Sequence, residues 1–137
     1  MGYSVYLHKF EAGEPAFAPF AEVAAILRRY GSIDFVGSHI EFTPKGDDLC
    51  EAGSVGGSES EGIDSIGFDR PVSSDRLRTL IFELLGVHGM CYFEQDATFV
   101  LAKTDVTADL PEGLLDQCET GRVTLVRSLA DVANNAL

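Results

Sequence analysis

Residues 75–86 read DRLRTLIFELLG, and their apolar side chains repeat with the period of an α-helix. The positions i, i+3, i+4, i+7 and i+8 of this stretch share one helical face, formed by Leu77, Leu80, Ile81, Leu84 and Leu85. Ser73 or Ser74 can cap the first backbone amides. Asp75 suits the positive end of the helix dipole, and Gly86 ends the helix. The stretch predicts an amphipathic helix whose leucine-rich face packs on a core.

The segments on both sides of this helix have the composition of β-strands. Upstream, residues 62–69, GIDSIGFD, place Ile66 and Phe68 on the same face of an extended chain. Downstream, residues 90–94 and 98–103 are two short β-prone runs separated by the polar turn 95–97. We expect these two runs to pair as a hairpin.

The N-terminal part of the chain also combines a strand with a helix. Residues 3–10, YSVYLHKF, alternate apolar and polar side chains, as a half-buried strand does. From Pro19 onwards, apolar residues recur at every third or fourth position until Gly31. Because proline suits the first position of a helix and glycine its end, this spacing predicts a first helix.

The region between the two helices contains one ambiguous segment and one expected loop. Residues 33–42 are β-prone on both sides of Gly37 and Ser38, which fits either a tight hairpin or one strand with a bulge. Residues 45–62, KGDDLCEAGSVGGSESEG, are rich in glycine, serine and acidic residues and lack apolar periodicity. We expect them to form a long, mobile, acidic loop.

The C-terminal part predicts three short elements. Residues 109–118 begin with DLPE, a capping-box-like start, and we expect a short helix there. Residues 122–126, RVTLV, have the composition of a last edge strand, and residues 128–137, SLADVANNAL, that of a short terminal helix.

This order of elements predicts an α+β domain that comprises residues 1–137. We expect an antiparallel or mixed sheet with the two main helices packed on one face, followed by a helical and extended tail. If residues 33–42 count as one strand, the first six elements follow the order βαββαβ, which fits a ferredoxin-like arrangement.

The charge of the chain argues against several classes of partner. Asp and Glu number 22 and Lys and Arg number 10, so the net charge is −12. Nucleic acids and anionic membranes are bound through clustered basic residues, and we therefore expect neither as a partner.

The first residues lack the basic leader and apolar run of a secretion signal, and the three cysteines form no CxxC pair. We expect a cytoplasmic protein.

The sequence contains no recognisable catalytic, cofactor or metal-binding motif. His8, His39 and His88 lie far apart and match no metal-binding spacing. The glycine-rich stretch GSVGGSES fits neither a nucleotide-binding loop nor the GxSxG motif of serine hydrolases. His88 stands three residues before Cys91, which is the one arrangement suggesting a thiol beside a base. We expect no metal and no cofactor.

Acidic residues are concentrated between residues 41 and 69, where Lys45 is the one basic residue. The eight carboxylates of this segment are those of Glu41, Asp47, Asp48, Glu51, Glu59, Glu61, Asp64 and Asp69. Grouped on one side of the fold, they would attract a basic protein. Tyr92, expected to point outward between Cys91 and Phe93, is a candidate anchor for such a partner, because tyrosine is enriched at interface hot spots.

Size, acidity and this segment favour a protein-binding module as the function. The most specific form of the hypothesis is an inhibitor or immunity-type protein that neutralises a basic enzyme such as a nuclease toxin. One alternative is a small-molecule-binding or regulatory domain that uses a free face of the sheet. The other is an enzyme without a recognisable motif.

Overall fold

The computed structural model describes residues 3–137, which form nine strands, three α-helices and two turns of 3₁₀-helix. The strands are β1 (Ser4–Glu11), β2 (Glu14–Pro15), β3 (Gly31–Val36), β4 (His39–Pro44), β5 (Ala52–Ser58), β6 (Gly62–Asp69), β7 (Met90–Glu94), β8 (Val100–Ala102) and β9 (Thr124–Leu125). The helices are α1 (Phe20–Leu27), α2 (Asp75–Leu85) and α3 (Leu129–Asn135). The 3₁₀ turns are Thr107–Asp109 and Leu115–Gln117.

The strands form one open sheet in the order β3-β4-β5-β6-β1-β7-β8-β9, with β2 attached to β1. All paired strands are antiparallel except β8 and β9, which run parallel. This mixed, mostly antiparallel sheet with helices confirms the expected α+β class. The ferredoxin-like order is not confirmed, because four strands separate α1 from α2 where that order has two.

The alternation of β1 divides the sheet into two different sides. Val5 and Leu7 are fully buried and belong to the main cluster of core residues, together with Val23 of α1 and Leu84 of α2. We call this the helix side of the sheet. Tyr6 and the other residues that alternate with Val5 and Leu7 point to the opposite side.

The second predicted helix is confirmed as α2. The Ser74 side chain accepts a hydrogen bond from the Leu77 amide (3.1 Å), which caps the first turn. All five predicted apolar residues are buried, with exposed fractions of 2% or less. The predicted stop is also found, since Gly86 follows the last helical residue.

The first predicted helix is confirmed as α1, but it ends at Leu27 and not at Gly31, which is the first residue of β3. The turn that follows α1 is joined to α2 by polar contacts. The Tyr30 hydroxyl donates to the Glu83 carboxylate (3.0 Å), and Arg29 forms an ion pair with the same carboxylate (2.9 Å). Burial and the hydrogen bond to Glu83 raise the pKa of Tyr30 to about 12. The hydroxyl therefore remains a donor at neutral pH, and the contact between the helices is kept.

The expected loop at residues 45–62 is wrong for its central part, because Ala52–Ser58 form strand β5 between β4 and β6. The ring of Phe42 on β4 lies against Gly53, where an added Cβ would be 2.9 Å from the ring. Gly57, with a φ of +115°, sits at the irregular register between β5 and β6. Pairing on both sides thus overrides a composition that disfavours strands.

The ambiguous residues 33–42 form a hairpin in the structure. Strands β3 and β4 pair without a register shift, and Gly37 and Ser38 form the two-residue turn. Gly37 has a φ of +62°, a backbone conformation that this tight turn requires and that glycine adopts without strain.

The predicted helix at residues 109–118 is wrong. Asp109 accepts a hydrogen bond from the Ala12 amide (3.2 Å) instead of capping a helix. Gly113 has a φ of +86°, which interrupts helical backbone, so two separate 3₁₀ turns remain. Strand β9 is shorter than residues 122–126, whereas the terminal helix is confirmed as α3, with Ser128 and Asp131 capping each other.

A buried carboxylate joins distant parts of the chain. Glu94, which is 8% exposed, accepts hydrogen bonds from the hydroxyls of Tyr3 (2.9 Å) and Tyr92 (2.6 Å) and from the Leu137 amide (2.9 Å). Burial, and next the bond to Glu94, raise the pKa of both tyrosines. Glu94 thus holds three sequence-distant segments together.

We expect Leu84→Ala to lower the free energy of unfolding by about 2–5 kcal/mol, because it leaves a cavity under a fully buried helix face. Urea denaturation monitored by circular dichroism measures this loss. The matched control is Leu129→Ala on α3, where the leucine is 38% exposed and its truncation should cost less than about 1 kcal/mol. Equal losses in the two variants would contradict the assignment of this face to the core.

Candidate interaction surface

The side of the sheet opposite the helices is uncovered over β3, β4, β5, β6 and part of β1, and we call this region the open face. The register places one row of residues across it, namely Asp34, Glu41, Ser54, Gly67, Tyr6 and Phe93. Over β7 and β8 the same side is covered, because Val106, Leu110 and Cys118 pack on Cys91 and Val100. The open face therefore ends where this second, smaller core begins.

Four half-buried rings form an aromatic cluster at this boundary: Tyr6, His8, Phe10 and Phe93. His8 stacks on Phe10 with ring centroids 5.3 Å apart and lies 5.2 Å from Phe93. Tyr6 lies 5.7 Å from Phe93. The cluster gives this boundary of the open face an apolar surface that also carries polar atoms.

His8 is kept neutral by its surroundings. Burial lowers its pKa below the ordinary value of 6.5, and the nearby carboxylate of Asp64 opposes this shift. Asp64 itself accepts a hydrogen bond from the Ser65 hydroxyl (3.1 Å) next to the irregular pairing of β5 and β6. The aromatic cluster and a carboxylate therefore share one end of the open face.

Three of the predicted acidic residues line one groove. Glu41, Glu51 and Asp69 surround a groove of about 270 Å³ where β4, β5 and β6 meet. Asp69 accepts a hydrogen bond from the Ser4 hydroxyl (2.9 Å), and Glu51 forms an ion pair with Arg70 (3.1 Å). Both members of this pair are largely exposed, so the pair contributes little stability.

The remaining predicted carboxylates lie elsewhere, so the eight do not form one patch. Glu59 and Glu61 are in the turn between β5 and β6, at the far end of these strands from Asp69. Asp48 forms an ion pair with Arg76 of α2 (2.8 Å), which places Asp47 and Asp48 beside the helices. The eight carboxylates thus divide into an open-face group with Asp64, a turn group and a helix-side pair.

The expectation that Tyr92 points outward is wrong. Its side chain is fully buried on the helix side, in the register row of Leu7 and Leu101, and its hydroxyl donates to Glu94. Cys91 and Phe93, on either side of it, point towards the other face. Tyr92 is therefore a core residue and cannot be a surface anchor.

The sequence-based candidates omitted the aromatic cluster and Asp34. The signal for Tyr6 and His8 was present, because both alternate with the buried Val5 and Leu7 in the first strand. Their meeting with Phe93 depends on the pairing of β1 with β7, which the sequence does not show. Asp34 joins the surface because β3 pairs beside β4.

The proposed thiol and base do not form a catalytic pair. Cys91 is fully buried, its thiol donates to the carbonyl of His8 (3.3 Å), and burial raises its pKa to about 12. His88 is exposed in the turn before β7. A protonated, buried thiol is a poor nucleophile, which argues against this arrangement as an active site.

Residues 3–137 also contain no group of three His, Cys, Asp or Glu side chains that could hold a metal ion. No helix in the same range is both long and apolar enough to span a membrane.

The lowered pKa of His8 makes stability dependent on pH in a defined direction. The unfolded chain binds a proton near pH 6.5, whereas the folded protein binds it at a lower pH, so acid favours the unfolded state. The stabilising contribution is present above pH 6.5 and is lost as the pH falls. We expect the free energy of unfolding to decrease more between about pH 7.5 and about pH 5.5 in the wild type than in His8→Gln.

Urea denaturation at both pH values measures this difference. The control is His39→Gln, which removes an exposed histidine on β4 and leaves His8 in place, so the pH dependence due to His8 should remain. If His8→Gln and the wild type show the same pH dependence, the pKa of His8 is the same in the folded and the unfolded protein, and the prediction is wrong.

Comparisons of the chain with models of known protein families, with curated protein sequences and with solved structures give no match.

Proposed function

We propose that the protein is a protein-binding module that uses the open face to bind a basic partner. The observation that carries this proposal is the combination of carboxylates and half-buried aromatic rings on one uncovered side of the sheet. The carboxylates are those of Asp34, Glu41, Glu51, Asp64 and Asp69, and the rings are those of the aromatic cluster.

The carboxylates supply attraction and orientation. A net charge of −12 attracts a cationic protein over a distance, and the groups on the open face select the side on which it docks. At physiological ionic strength this attraction is screened over a Debye length of about 8 Å. Electrostatic steering therefore raises the association rate more than it raises the final affinity.

The aromatic cluster supplies the apolar contact that affinity requires. Interface hot spots are enriched in aromatic residues that become fully desolvated on binding. Tyr6 and Phe93 are half-buried in the free protein, so these side chains lose little conformational freedom when a partner covers them. This uncovered surface suits a protein partner, because the groove lined by Glu41, Glu51 and Asp69 is open at the surface and continues into the open face.

The partner class we favour is a basic enzyme, which the protein would inhibit in the manner of an immunity-type protein. Enzymes that act on nucleic acids hold phosphates with lysine and arginine side chains. A surface with several carboxylates is complementary to such a binding cleft. Under this proposal, the open face covers the phosphate-binding residues of a nuclease.

The test begins with affinity capture of a partner at low salt from cells that produce the chain. The dissociation constant of the identified pair is then measured by calorimetry for two triple variants. The first, Glu41→Gln, Glu51→Gln and Asp69→Asn, neutralises the groove on the open face. We expect it to weaken binding about fivefold or more, because three charge contacts are lost and each contributes a few tenths of a kcal/mol to about 1 kcal/mol.

The control triple, Glu22→Gln, Asp47→Asn and Asp75→Asn, removes the same charge from exposed positions in α1, in α2 and next to Asp48, which pairs with α2. It should change the dissociation constant less than about threefold, and the difference between the two triples should shrink at about 0.5 M salt. Equal weakening by both triples would mean that only net charge matters and that the open face is not the binding site. Capture of no basic protein would also count against the proposal.

A further inference from the structure

Strand β3 is an open edge of the sheet. It is six residues long, which corresponds to about 20 Å of extended backbone, and it pairs with β4 without a bulge. It contains neither lysine nor proline, the residues that commonly protect such edges. At the opposite edge, β9 has only two residues. Of the two edges, β3 is thus the one that can accept another strand.

The register shows which backbone groups of β3 are free. The Lys45 amide donates to the carbonyl of Tyr30 (2.9 Å), so the even-numbered residues of β3 form the hydrogen-bonded pairs with β4. The odd-numbered residues, Gly31, Ile33 and Phe35, therefore direct their amides and carbonyls away from the sheet. Among the described residues, none donates to or accepts from these groups.

The side chains along this edge have a clear pattern. Phe35 and Val36 are 52% and 50% exposed, which is unusual for adjacent large apolar residues. Phe35 lies on the helix side next to Phe20, with ring centroids 5.9 Å apart. Asp34 lies on the opposite side, beside Glu41 on the open face. An added strand would therefore meet the apolar Ile33 and Phe35 on the helix side, and Asp34 with the neighbouring Val36 on the open-face side.

The Gly31 end of the edge carries the opposite charge. Arg28 and Lys45 are exposed there and line a surface groove of about 540 Å³ beside β3. Neither forms an ion pair with another described residue, whereas the neighbouring Arg29 is paired with Glu83. An antiparallel strand would end near Gly31, so an acidic residue at its C-terminal end would lie close to Arg28 and Lys45.

We propose that β3 binds an extended segment of a partner protein as an added antiparallel strand. In this segment apolar residues alternate with lysine or arginine, and an acidic residue follows. The apolar residues pack beside Ile33 and Phe35, a basic residue lies opposite Asp34, and the backbone bonds to the three free residue positions. The inference deepens the proposed function, because it assigns a binding mode to a basic partner.

A second copy of the chain is disfavoured as the occupant. Two copies of β3 that pair around a twofold axis place the two Asp34 carboxylates opposite each other or in diagonal positions. Each copy also has a net charge of −12. Asp34 thus discourages self-association while it favours a cationic strand.

The probe is a seven-residue peptide in which valine and lysine alternate and a glutamate occupies the C-terminal position. We expect the amides of Ile33 and Phe35 to exchange with deuterium at least about tenfold more slowly when the peptide is bound. The amides of Ser32 and Asp34, already bonded to β4, should change little. Hydrogen exchange measured by nuclear magnetic resonance resolves these four amides individually.

Two controls separate backbone pairing from charge attraction. A peptide with N-methylated valines keeps its charge and side chains but lacks the amides that would bond to β3, and it should bind at least about tenfold more weakly. The variant Ile33→Pro removes an outward amide while it keeps every bond to β4, and it should weaken the unmodified peptide similarly. If this variant does not fold, the N-methylated peptide still tests backbone pairing, because it is measured with the wild-type protein.

Three outcomes would overturn the inference. They are unchanged exchange at Ile33 and Phe35, equal binding of the N-methylated peptide, and a dimer in sedimentation that protects the same amides without peptide. In each case, the proposed function would still be supported by a basic partner whose binding is weakened by the triple variant of Glu41, Glu51 and Asp69. Conversely, if the peptide pairs with β3 but no such partner is found, the result supports strand addition at β3 and not the proposed function.

Discussion

The position of β1 between β6 and β7 is the constraint on which the rest of the structure depends. Because side chains alternate along a strand, Val5 and Leu7 can enter the core only if Tyr6 and His8 point to the other side. The same pairing brings Phe93 beside these rings. A single register therefore determines both the core under the helices and the aromatic cluster on the open face.

The elements that could be predicted from the sequence are those with strong local signals. The helix α2 has five apolar residues at helical spacing and a serine cap, and its burial follows from that pattern alone. Strand β5 has no comparable signal, since its sequence, AGSVGGS, is that of a loop. It becomes a strand because β4 and β6 pair with it on both sides, which is a property of the tertiary structure. The capping box at residues 109–112 failed for a related reason, because Asp109 bonds to Ala12 across the fold.

The candidate surface was predictable only in part. The sequence showed where carboxylates are numerous, but Asp48 and Glu51, three residues apart in the chain, pair with arginines on different sides of the molecule. The alternation around Tyr92 does not show which way its side chain points, because one apolar strand segment cannot reveal which face meets the helices. Asp34 and Glu41 show the converse, since they are separated in sequence and adjacent in the sheet. Charge density along a chain is thus a weak guide to charge density on a surface.

The pairing of β1 also has a consequence for how the protein folds. Ser4 bonds to Asp69, 65 residues away, and the thiol of Cys91 bonds to the carbonyl of His8, 83 residues away. During synthesis, β1 is made well before either neighbouring strand, so Val5 and Leu7 stay in water until α2 and β7 have followed. Contacts between such distant residues slow folding, and unpaired apolar strands aggregate readily. The interval before the centre of the sheet closes is therefore the stage at which exposed strands of this chain favour aggregation most.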